Sequence, residues 1–260
     1  MLARHRVGSV PYLNALPLTA GLEPAIAFKP PSQLARDLAA NRLQTALVST
    51  TEVLFSADWK ALDGFGILSR GPVHSVFLAH HTPLKDLRVV HLDPASCTSV
   101  NLLRVLLAEQ GVHPEFRPLT SYAEAPSLSD VLLIGNPALE FRRAPHTHHL
   151  WDLGKAWHTL TGLPFTYAVW AFRSDFDPLD LAQVLTEAAK FGLSKLPQLI
   201  EANPEFDLPL RRAYVGGYIQ YRIDEAARAG IEQFRQLLER HTGRSTRALR
   251  WINPSPAGII

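Results

Sequence analysis

The chain has 260 residues, 47% of them hydrophobic, enough to bury one large core or two of medium size. Its 26 Lys and Arg against 24 Asp and Glu leave a formal charge of only +2, with no run of basic residues beyond two, so nucleic acid is not an expected partner. Cys97 is the single cysteine, which excludes an internal disulfide and fits a reducing compartment, and no apolar run approaches the length of a membrane span.

The basic lead Arg4-His5-Arg6 is followed by Gly8, Ser9, Pro11, Tyr12, Asn14 and Pro17, which interrupt the apolar core that a secretory signal needs. A cytoplasmic protein is expected. After the short lead Arg4–Val7, residues 8–18 read as the first strand and the turn leaving it, a bend bracketed by Pro11 and Pro17, neither of which can donate a ladder hydrogen bond. Asn14 sits between Leu13, Ala15 and Leu16. A carboxamide so enclosed needs partners, and it either closes a turn through its own backbone or faces a cleft.

Pro31-Ser32 starts a helix with Ser32 as N-cap and Leu34, Leu38 and Leu43 on its apolar side. Thr45–Ser49 reads as a short buried strand, with Ser49, Thr50 and Thr51 at its C-terminal end. Ile67–Leu68 leads through Ser69–Ser75 to an extended run, Val76–Ala79. Arg88–Leu92 is another strand, and Val100, Leu103, Leu106 and Leu107 then mark a helix that stops at Gly111. Val131–Ile134 is a buried strand ending in Gly135-Asn136-Pro137, and Tyr167–Phe172 is a longer apolar one. Asp177-Pro178 starts a helix, and Ala227, Ile231, Phe234 and Leu238 form the apolar face of a last one ending at Gly243.

This alternation predicts α/β architecture with parallel or mixed sheets covered on both faces, which a single doubly wound sheet would also satisfy. Val76–Ala79 and Tyr167–Phe172 read as two connectors between lobes. On that reading residues 1–80 and 168–260 form one discontinuous lobe and residues 83–165 an inserted one.

Ser96, Cys97, Thr98 and Ser99 gather hydroxyls and free N–H groups at a helix start, which suits either ordinary capping or a bound carboxylate. Ser75 stands at a strand end, and its neighbour His74 points to the opposite face of an extended chain, so the pair is not a nucleophile–base dyad. His146, His148 and His149 cluster in what reads as an exposed loop beside Arg142, Arg143 and Pro145, and no metal site is expected there. Gly64-Phe-Gly66 is too short for a phosphate loop. Trp157 and Trp170 fit a core role. Thr161-Gly162, just before the second connector, is placed to line a cleft.

The run Val10-Pro-Tyr-Leu-Asn-Ala-Leu-Pro-Leu18 resembles the opening motif of the chorismate dehydratases of the futalosine route to menaquinone. Asp152-Leu-Gly154, Trp157, Thr161–Phe165 and Ala168–Trp170 match the same family, as do Ser96–Ser99 with Leu102, Leu103 and Leu106. The resemblance implies a two-lobed periplasmic-binding-protein-like fold of type II, two crossover strands and a ligand cleft between the lobes. It implies that chorismate, a small dicarboxylate, loses water to give 3-[(1-carboxyvinyl)oxy]benzoate, with no cofactor. It further implies Asn14 and Ser75 as catalytic residues, and Ser9, Tyr12, Ser49, Ser96, Thr98, Ser99, Thr161 and Gly162 as substrate-binding ones.

The matched positions offer no base, because Asn14 and Ser75 do not accept protons at neutral pH. Either Glu52 serves, or the substrate's own enolpyruvyl carboxylate does; substrate assistance suits a cleft of neutral donors. Asn136 stands where the family pattern carries an Asp, and the segment before Ser49 is more neutral than usual. A binding protein of the same fold without turnover, and the sister 1,4-dihydroxy-6-naphthoate synthase, are the alternative readings.

Overall fold

A computed structural model describes residues 6–95 and 97–254. The chain begins with β1 (Val7–Ser9), a 3-10 turn at Leu13–Ala15 and α1 (Leu16–Thr19), which tolerates Pro17 in its first turn because the missing N–H would be unpaired there anyway. Then come β2 (Ile26–Phe28), α2 (Pro31–Ala39), β3 (Thr45–Ser49), α3 (Thr50–Phe55) and β4 (Trp59–Ser69). The middle third holds β5 (Val76–His80), β6 (Val89–Leu92), α4 (Thr98–Ala108), β7 (Glu115–Pro118), β8 (Asp130–Ile134), α5 (Gly135–Arg143), β9 (His149–Asp152) and α6 (Leu153–Thr161). The rest is β10 (Phe165–Arg173), α7 (Leu179–Ser194), α8 (Leu196–Ala202), α9 (Leu208–Ala213), a π-helix at Tyr214–Tyr218, β11 (Gln220–Arg222), α10 (Glu225–Thr242) and β12 (Trp251–Ile252).

Two mixed sheets result. The first runs β11-β4-β10-β3-β1-β2 with β12 on the flank of β4, and the second runs β7-β6-β8-β5-β9. β1 pairs in parallel with β2 and β3, and β6 with β7 and β8, whereas β10 and β5 run antiparallel to their neighbours. β3 and β8 are buried at every position, as their apolar runs Ala46–Val48 and Val131–Ile134 require when helices cover both faces.

The pairing corrects the reading of the two connectors. β5 is paired along Val76–His80 entirely within the second sheet, and β10 entirely within the first. The chain therefore passes between sheets through residues 70–75 and again through α6, ahead of the extended runs. Residues 76–80 accordingly belong with the second sheet and not with residues 1–75. Their apolar pattern marks burial, and burial does not distinguish a crossing strand from a central one.

Local signals fare better at helix ends than inside the first turn. Gly243 closes α10 with a φ of +64°, where a side chain would be strained. Asp177 accepts the Leu179 N–H at the start of α7. Ser32, in contrast, caps nothing: Pro30 occupies the cap position and Ser32 lies within the first turn of α2. Leu43 lies beyond that helix and packs over Gly8. Trp157 and Trp170 are fully buried, Trp157 meeting Phe165 and Phe234 edge to face and donating its indole N–H to the Pro164 carbonyl at 3.2 Å.

α7 lies directly on α1. A Cβ at Gly192 would stand 2.0 Å from the Pro17 carbonyl oxygen, so the two backbones meet with no room for a methyl group. Gly192→Ala is expected to destabilise the fold by about 1–3 kcal/mol through forced separation of these helices. Urea denaturation measures it, and an unchanged midpoint would show that the α1–α7 contact is not tight.

Candidate active site

Between the two sheets lies a cavity of about 600 Å3, its open mouth included. It sits where β1, β3 and β8 end and where α4 and α5 begin, the position at which open α/β sheets take ligands. Tyr12, Asn14, Ser49, Ser75, Thr98 and Ser99 line it together with Tyr167 and an apolar wall that includes Val10, Leu47, Ile67 and Ile134. Among the described residues lining it, none is charged.

Asn14 is carried by the 3-10 turn after β1, and its Oδ1 is buried with no partner. An orphaned amide oxygen at a cavity wall is a vacancy for a ligand donor or a water. Ser75 is buried at the end of the first inter-sheet passage, and its Oγ accepts the Tyr214 hydroxyl at 2.7 Å. Burial pushes the Tyr214 phenol up to about 12, and the Ser75 and Asn14 side chains beside it pull the other way.

The passage that presents Ser75 is held from several sides. The Asp152 carboxylate accepts the backbone N–H groups of Val73 and His74 at 2.7–3.1 Å. His74 adopts a φ of +64°, uncommon for a side-chain-bearing residue, and its ring stacks on Tyr218 with centroids 3.8 Å apart. His74 therefore faces away from Ser75, through a left-handed backbone and not through strand alternation.

On the opposite wall, the Ser49 and Thr98 hydroxyls share a short hydrogen bond that ties the end of β3 to the start of α4. Thr98 Oγ1 also accepts the Thr51 N–H at 3.1 Å. The first turn of α4 turns its N-terminal end and the hydroxyls of Thr98 and Ser99 toward the cavity, an arrangement that favours an anion.

Over residues 5–240 the chain matches the family described as menaquinone biosynthesis. It is 32% identical to the chorismate dehydratase of Thermus thermophilus across 88% of this chain and 95% of that one. The chain belongs to this menaquinone-biosynthesis family. It is also 27% identical to the chorismate dehydratase of Campylobacter jejuni across 86% of this chain and 88% of that one. The fold is that of the periplasmic binding proteins: the aliphatic sulphonate binding protein SsuA of Escherichia coli superposes with a TM-score of 0.63 over 94% of each chain, at 15% identity.

Not every residue expected from the family pattern reaches the cavity. Thr161 and Gly162 end α6, where the Thr161 hydroxyl donates to the Trp157 carbonyl and Gly162 takes the left-handed cap with φ +70°. Their place before an extended strand suits a helix stop, and neither lines the cavity. Ser9 is wholly buried in β1, behind the lining. Ser96 lies outside the described residues. Glu52 is also absent from the lining; it meets the Cys97 thiol, which burial and this carboxylate push up to about 12. Asn136 turns to Glu205, donating at 3.1 Å. The histidine segment is a loop exposed at Pro145 and Thr147, as its polarity suggests, but His148 is buried with Nε2 on the Leu128 carbonyl and its ring stacked on His81, and His149, though exposed, is in β9.

Three residues in or behind the cavity wall escape sequence reasoning. Tyr167 lines the cavity and shares a hydrogen bond with Ser69. Tyr214 backs Ser75. Asp93, at the end of β6, is buried and accepts from the Ala95 N–H, the Tyr122 hydroxyl and the Ile134 N–H. Burial raises its carboxyl despite those donors, and burial together with Asp93 pushes the Tyr12 phenol up to about 12. The Asp93-Pro94 strand end was the available signal, but it resembles any turn.

Two outcomes follow for this wall and this passage. Thr98→Val keeps the shape of the side chain but strands the buried Thr51 N–H, so it should cost about 1–3 kcal/mol in urea denaturation. Burial, reinforced by Arg142, lowers the His74 pKa below its usual 6.5. The unfolded chain then binds the proton first as pH falls, so this part of the stability is whole above 6.5 and is lost between 6.5 and the lowered folded value. His74→Asn, which tolerates the positive φ, should flatten the slope of melting temperature against pH in that window.

Proposed function

We propose that this protein is a chorismate dehydratase of the futalosine route, acting in the cytoplasm on free chorismate. The observation that carries the reading is a cavity whose polar wall, among the described residues, consists of uncharged hydrogen-bonding groups set around a helix N-terminus, in a chain of this family. Chorismate brings two carboxylates, a C4 hydroxyl and an acidified C3–H. Loss of that proton and of the hydroxyl yields aromatic 3-[(1-carboxyvinyl)oxy]benzoate and water.

The C3–H is conjugated through a double bond to the ring carboxylate, so negative charge moves onto that carboxylate as the proton leaves. The N–H groups and hydroxyls at the start of α4, from Thr98 and Ser99, are assigned to it. Fixed dipoles aimed at developing charge lower a barrier without reorganising. Among the described residues, the cavity wall presents no carboxylate or imidazole to take the proton. The substrate's enolpyruvyl carboxylate is bonded through the ether oxygen to C3 itself and reaches the C3–H in a six-membered arrangement. Ser75 and Asn14 are assigned to holding it there. The proton that it collects then passes to the departing C4 hydroxyl, which leaves as water, and the substrate's net charge is unchanged.

Ultraviolet absorbance tests this directly, because the aromatic product appears only with turnover. The wild-type protein should convert chorismate; binding without a spectral change would identify a ligand-binding relative instead. Ser75→Ala and Asn14→Ala should each lower kcat/KM by about 10–100-fold, the worth of one hydrogen bond to a charged group. Glu52→Gln should stay within a few-fold of wild type, and near-complete loss of turnover in a folded Glu52→Gln protein would overturn substrate assistance.

A further inference from the structure

We propose that Tyr214 is a positioning residue that aims the Ser75 proton into the cavity; this deepens the dehydratase reading and rests on it. A serine hydroxyl carries one proton and two lone pairs. The Tyr214 hydroxyl, 1% exposed, donates to Ser75 Oγ at 2.7 Å. A phenol is the stronger acid of the pair and therefore the better donor, so one Ser75 lone pair is occupied and its own proton must point elsewhere. Ser75 is itself buried, and the cavity is the space its side chain lines.

The backbone around Tyr214 argues for function over packing. Tyr214–Tyr218 is a π-helix, a rare and costly turn found mostly at functional sites, and it contains the Gly216-Gly217 pair. The turn presents Tyr214 to Ser75 and Tyr218 to His74, so two consecutive residues of the inter-sheet passage are gripped by the two ends of one π-turn. His74 meanwhile holds a left-handed backbone that needs such over-determination to persist. Three residues on, Tyr221 supplies an internal contrast. It is also buried in the same neighbourhood, but its hydroxyl has no partner and does not line the cavity.

A double-mutant cycle decides the matter. Tyr214→Phe should lower kcat/KM about tenfold, the effect of one hydrogen bond, and Tyr221→Phe should leave it unchanged. In a Ser75→Ala background, Tyr214→Phe should cause no further loss, because its effect runs through the missing hydroxyl. A Tyr214→Phe enzyme with the wild-type kcat/KM, or an equal fold-loss in both backgrounds, overturns the proposal while leaving the dehydratase reading intact. Should Tyr214→Phe fail to fold, 3-fluorotyrosine at position 214 keeps the volume and acidifies the phenol. The alkaline limb of kcat/KM should then move to lower pH, and an unmoved limb counts against the role. If the wild-type protein binds chorismate without converting it, the dehydratase reading falls alone and the same cycle is read in Kd. A wild-type protein that neither binds nor converts chorismate overturns both.

Discussion

The site depends on the strand ends of two sheets facing one another across a gap closed by hydroxyl groups, with no charged side chain among the described residues that line it. The bond between Ser49 and Thr98 fixes one side of that gap, and Tyr214 with Ser75 fixes the other. Each joins residues far apart in the chain. Between them the cavity inherits its donors from places where the backbone itself has spare hydrogen-bonding capacity: the turn after β1, the end of β3 and the first turn of α4.

A neutral polar wall has a chemical consequence. A buried Lys or Arg would hold a carboxylate strongly in the ground state, and it would stand as an uncompensated charge in the empty site. Hydroxyls, an amide and a helix N-terminus bear no such burden. They can hold a carboxylate while adding most to the state in which its charge grows. Arg143 with Asp207 and Arg70 with Asp224 instead pair at the surface, where each contributes little to stability.

Access to so enclosed a cavity depends on contacts that bridge it at the rim. Asn136 with Glu205, Arg143 with Asp207 and the His74–Tyr218 stack join the second-sheet side to the segment 203–218. On the far side, His241 at the end of α10 meets Glu109 just past α4 at 2.5 Å. Exposed polar contacts of this kind are cheap to break, whereas the hydrophobic cluster shared by both sheets is not.

By itself the sequence determined the α/β class, the strands at Thr45–Ser49 and Val131–Ile134 and the helix marked by Val100, Leu103, Leu106 and Leu107, while the interest of Asn14 and Ser75 came from the motifs that carry the family resemblance. These rest on period, on glycine and proline punctuation, and on short motifs, all of which act within a few residues. Only the tertiary structure decided that β5 is a central strand, that Thr161 and Gly162 serve a helix end, that His148 is buried, and that Asp93, Tyr167 and Tyr214 stand around the site. Tyr214 and Ser75 are 139 positions apart. A hydrogen bond across that separation leaves no trace in local spacing, because sheet topology, and not neighbouring residues, brings its two ends together.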